Sequence, residues 1–218
     1  MSDFLIFFVA FFLCLISVIS YGKIFERLFL RNIFFNDNIS VYTGFYGLTF
    51  LTLISLLTSY FVPHNFYHNI AIHSIGLFYF LINFFKKDKK YLKYIFLISL
   101  FTISALIISK TNDDLSYYHL PFTKYITEHK IIFGMGHLNH GYNLLSSIFY
   151  LNSIFYLPFI KLYSFHFSLL FFLIFFNYFL IKEIVLNKND LIIRYLYFFA
   201  FAYFNLSFNR LAEFGTDK

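Results

Sequence analysis

The sequence predicts an all-α integral membrane protein of about six transmembrane helices, with two interfacial amphipathic helices in one outer loop. Three observations lead there. Of the 218 residues, 60% are hydrophobic and only 13% charged, whereas a soluble domain carries about 25% charged residues. The apolar excess is gathered into long uncharged runs, as bilayer-crossing helices of about 20 residues require. The basic residues collect between those runs, so the formal net charge of +6 faces anionic headgroups rather than nucleic acid. Phe 37 and Tyr 19 against Trp 0 reads as a base-composition bias, not as an aromatic cofactor box. The single cysteine, Cys14, has no partner for an internal disulfide.

The six runs cover residues 4–21, 41–62, 69–85, 92–109, 164–181 and 191–207. A helix closes its backbone hydrogen bonds within one segment, so helix is the conformation they adopt in lipid. The first run lacks a basic leader and a small-residue cleavage site, and reads as a retained span. Lys23, Arg27 and Arg31 follow it. Lys86, Lys87, Lys89, Lys90 and Lys93 separate the third run from the fourth, and Lys182, Lys188 and Arg194 lie between the fifth and sixth. Lys and Arg accumulate on the cytoplasmic side of short loops. Placing all three clusters inside puts the N terminus, the loop 110–163 and the tail 208–218 outside, in an inner (cytoplasmic) membrane protein.

Within that loop, Pro121 suits the first turn of a helix over 120–130, whose apolar side is Phe122, Tyr125, Ile126 and His129. A glycine-punctuated turn over 134–141 follows. Residues 143–157 are apolar enough to suggest a seventh span, but crossing there would flip the Lys182–Arg194 cluster outside. Their polar stripe, Asn143, Ser146, Ser147, Tyr150 and Ser153, predicts a helix lying in the interface and ending near Pro158.

Candidate chemistry gathers on the outer side. Asp113 and Asp114 follow the fourth run, and an adjacent carboxylate pair of this kind is suited to supply a general base. Glu213 and Asp217 follow the sixth run on the same side. Lys124 and Arg210 are of the type that holds a phosphate or snorkels to headgroups. His119, His137 and His140 match no strong metal-ligand spacing. The cofactor is left open: a divalent metal is compatible with these residues and not indicated by them. His73 is the ionisable residue deep inside a run, and a lone His there is more often a helix–helix hydrogen bond than a proton relay.

A span, then Asp113-Asp114, Tyr118-His119-Leu120-Pro121, two shallow helices and another span resembles the membrane glycosyltransferases of the C superfamily (GT-C). The likeness covers roughly 92–218, with 1–91 an added three-span region. It implies transfer of a sugar from a polyprenyl-phosphate donor to a glycan or lipid acceptor on the extracytoplasmic side. Asp113 or Asp114 would be the base and Tyr118 and His119 the aromatic and imidazole that follow it. Glu213 and Asp217 would stand where such enzymes carry a second, looser acidic motif. Three spans precede the acidic loop here, where the typical member has one. The resemblance also implies further spans beyond Lys218, which would leave these 218 residues inactive alone. The alternatives are a non-catalytic envelope-assembly membrane protein and a transporter.

Overall fold

The computed structural model describes residues 2–30, 39–83, 89–103, 113–137, 140–143, 146–157, 160–187 and 189–207. Among them are helices and turns and no strand. Helix α1 runs Ser2–Phe29, α2 Thr43–Ser59, α3 Phe66–Asn83 and α4 Lys89–Thr102. Helix α5, Leu120–Glu128, carries Pro121 in its first turn as expected. Helix α6 is Ser147–Ile154, α7 Phe167–Leu186 and α8 Leu191–Leu206. By length and composition, Phe4–Phe29 and Ser164–Leu186 are suited to crossing a membrane; Thr43–Ser59 and Leu191–Leu206 are shorter apolar helices.

Helix α1 continues past the expected end at 21, through Lys23 and Arg27. A local reason is visible. Lys23 Nζ donates to Glu26 Oε2 at 2.7 Å, and Glu26 Oε1 accepts from Thr43 Oγ1 at 2.5 Å and Ser40 Oγ at 2.9 Å. The charges are matched where they are buried, so the helix need not stop at the first cation.

Helices α2 and α3 pack on α1; α7 packs on α2 and carries α4 and α8. Their directions alternate. Arg27 lies over the ring of Tyr79 at 5.8 Å, joining the C-terminal ends of α1 and α3. Tyr42, at the start of α2, meets Phe179 near the end of α7 at 5.8 Å. Phe7 meets Phe167 at 5.7 Å at the opposite end of the bundle. Lys23, Arg27 and Lys182 thus share one end, and the short pair α5–α6 closes on the other, beside Ser59 of α2.

The larger core includes Phe11, Leu15, Leu51, Phe155 and Phe171. A smaller one lies under α5, from Phe122, Ile126, Met135, Phe149 and Tyr150.

Residues 143–157 differ from expectation. The α-helix there is eight residues long, shorter than the expected segment, and packs against α2, α3, α5 and α7. Part of its polar stripe faces protein, with Tyr150 6% and Ser153 0% exposed, while Ser147 is exposed. One bond reaches α6 from α2 and others close within it. Ser55 Oγ donates to the Tyr150 carbonyl, Ser153 Oγ donates to the same carbonyl at 2.6 Å, and Ser146 caps the helix at Ile148 N. His73 does serve as a helix–helix bond. Its Nε2 donates to the Ile154 carbonyl at 3.3 Å, which leaves Nδ1 to accept from Ser17 Oγ at 3.1 Å. Arg210, Glu213, Asp217 and Pro158 lie outside the described residues.

Candidate functional site

Asp113 and Asp114 form the turn that enters a π-helical segment, Leu115–His119, closed by Leu120 N donating to the Leu115 carbonyl. The π turn is wider than an α turn, and such insertions are frequent at functional sites. Asp113 is exposed and Asp114 half-buried, so the acidic pair stands at the surface while the chain behind it turns inward.

What it turns toward is built from three further elements. Tyr118 packs on Gly141, where a Cβ would come within 2.7 Å of the Tyr118 Cβ; only glycine allows the 140–143 turn to lie so close. His119 is 6% exposed and stands edge-on to Phe149 of α6 at 4.8 Å. His119 also lines a small cavity with Thr123, Asn152, His166 and Ser168. Ser168 Oγ donates to Asn152 Oδ1, tying the start of α7 to α6. The cavity volume is about 30 Å³. At roughly 10–15 Å³ per water, that is room for two or three waters and too little for a sugar ring.

Lys124 is exposed and forms an ion pair with Glu128 at 3.6 Å, the kind of surface pair that contributes about 0–1 kcal/mol. His137 and His140 are exposed. Among the described residues, no three His, Cys, Asp or Glu side chains come together as metal ligands.

The structure thus joins Asp114, Tyr118 and His119 in one segment and adds His166, Asn152 and Ser168, which sequence reasoning missed. His166 and Ser168 were hidden inside the apolar run 164–181, and Asn152 inside 143–157. No spacing marks them, since residues 119, 152 and 166 lie on three separate elements.

No curated protein and no solved structure matches the chain. One family profile matches residues 4–217, nearly the whole length, and the chain therefore belongs to the family described as Domain of unknown function (DUF8201).

Proposed function

We propose that this chain is a multi-pass protein of the inner membrane with six spans, and that it transfers a sugar from a polyprenyl-phosphate donor to a glycan or lipid acceptor outside the cytoplasm. The observation that carries the reading is the placement of Asp113 and Asp114 at the surface. They stand at the mouth of a π turn whose far end, His119, is buried beside His166. A carboxylate held in that position can accept the acceptor hydroxyl's proton. The acceptor oxygen then bonds the anomeric carbon from the face opposite the phosphate, the carbon–oxygen bond to the phosphate breaks, and configuration inverts. The polyprenyl phosphate leaves with the bonding electrons, and Lys124 and Arg210 offer cations to it.

The alternating helix directions support the topology. They bring Lys23, Arg27 and Lys182 to one end and the Asp113 segment toward the other, as basic residues on the cytoplasmic side require. The transport reading loses support at His73, whose two nitrogens are both taken up between helices.

Incorporation of labelled sugar from a polyprenyl-phosphate donor, compared between wild type and the variants Asp113→Asn and Asp114→Asn, tests the proposal. Loss of a general base lowers turnover by roughly 10²–10⁴-fold, so one variant is expected to fall by that much. Wild-type rates in both would remove the acids from the chemistry.

A further inference from the structure

A second cleft opens beside the end of α2. Tyr60, Phe133, Met135, His137, Tyr142 and Tyr150 are among its walls, and its volume is about 320 Å³. That is some tenfold larger than the cavity at His119, about 30 Å³, and at the low end of small-molecule sites, roughly 300–1,000 Å³. It has room for one ring and its substituents.

The cleft is made by backbone bonds. Ile131 N donates to the Ser59 carbonyl at 2.9 Å, laying residues 131–133 along the end of α2. Gly134 then turns the chain at φ 87°, a conformation that favours glycine. His137 N closes the turn on the Gly134 carbonyl at 3.0 Å. Phe133 is held over Tyr60, with centroids 5.8 Å apart and planes at 26°, and yet is 92% exposed. An aromatic wall is thereby presented rather than buried. Opposite it, Tyr150 is almost fully buried on α6 and still lines the cleft. Burial first, and the neighbouring Tyr60 phenol second, push the Tyr150 hydroxyl above its usual range, so it stays a neutral donor.

Among the described residues, no Lys, Arg, Asp or Glu lines the cleft. Aromatic faces with hydroxyls at the edge suit an uncharged ring that has an apolar face and a polar rim. We infer that this cleft binds a neutral pyranose, stacked against the Tyr60–Phe133 wall and hydrogen-bonded at its edge by the Tyr150 phenol. The sugar class rests on the glycosyl-transfer reading above. Within that reading the cleft holds the acceptor, because the donor's phosphate calls for permanent cations and no Lys or Arg lines the cleft among the described residues.

The chain has Trp 0, so Phe133→Trp places a single tryptophan on the wall. Titrating that variant in nanodiscs with methyl glucoside, methyl galactoside, methyl mannoside and N-acetylglucosamine is expected to give a saturable emission change with at least one of them. Inorganic phosphate is expected to give none. Adding Tyr150→Phe removes one hydrogen bond and weakens the response about tenfold. Saturation-transfer NMR on the wild type with the same glycosides, repeated on Tyr60→Ala, supplies a readout that leaves Phe133 intact. Silence from every glycoside in both measurements, or saturation by phosphate instead, overturns the cleft. Glycoside binding combined with wild-type transfer rates in Asp113→Asn and Asp114→Asn supports the cleft and sinks the catalytic assignment. Lost transfer without any glycoside binding does the reverse.

Discussion

At the scale of single residues, His64 ties the α5–α6 end together. Its backbone N–H donates to the Ile126 carbonyl at 2.9 Å, and its carbonyl accepts from Asn69 Nδ2 at 2.9 Å. Ser153 Oγ already donates to the Tyr150 carbonyl, so the Nδ1–H of His64 is the donor in its 2.6 Å contact with Ser153 Oγ. His64 Nε2 lies 2.9 Å from Thr58 Oγ1. Burial, and His68 stacked on it at 4.6 Å, lower the His64 pKa from 6.5 to about 3. Below about 6.5 the unfolded chain takes up a proton there, and the folded chain does not until about 3. Stability is therefore full above that window and falls as pH drops through it. The melting temperature in detergent is expected to fall between about pH 7 and about pH 4.5, and His64→Gln is expected to narrow the fall. An identical drop in the variant would mean that other groups govern the acid response. Nothing in Val62-Pro63-His64-Asn65 announces this role. The partners at 58, 126 and 153 meet His64 only after folding.

At the scale of elements, α1 and α2 touch backbone to backbone. A Cβ on Gly47 would lie 2.0 Å from the Val18 carbonyl oxygen, and one on Gly22 1.8 Å from that of Thr43. Small residues permit such approach between membrane helices, where van der Waals contact replaces the hydrophobic drive. A carbonyl on a helix cannot swing aside as a side chain can, so Gly47→Ala has to part the helices. The expected loss is about 1–3 kcal/mol, typical of overpacking, read as earlier unfolding in a denaturing-detergent titration. Unchanged unfolding would contradict the close approach. Helices α7 and α8 are joined differently: Asn177 and Asn205 donate to each other's side-chain oxygens at 3.1 and 2.9 Å. The helices themselves were legible from their apolar runs, and α8 falls within one residue of its expected span. The packing of the short α6 was less legible, because an amphipathic pattern states that one side is polar, not whether water or another helix meets it.

At the scale of the whole molecule, the topology is open to direct test. In a Cys14→Ala background, Asp113→Cys is expected to react with a membrane-impermeant maleimide on intact cells, and Lys182→Cys only after permeabilisation. The Cys14 thiol is buried, so its removal leaves the labelled sites unaltered. Labelling of position 113 only from the cytosol would invert the protein and remove the extracytoplasmic reading. The sequence by itself determined the all-helical class, the positions of the apolar helices and the surface exposure of the acidic turn. Each of these follows from local physics: backbone bonds that close within a segment and charges that stay near water. Which polar groups meet was decided by tertiary structure alone. His119, Asn152, His166 and Ser168 line one cavity, and Tyr60 and Tyr150 line another, because α6 packs onto α2 and α7 and α5 packs onto α6. Contacts between residues on separate elements depend on how those helices pack, and hydrophobic periodicity does not encode that.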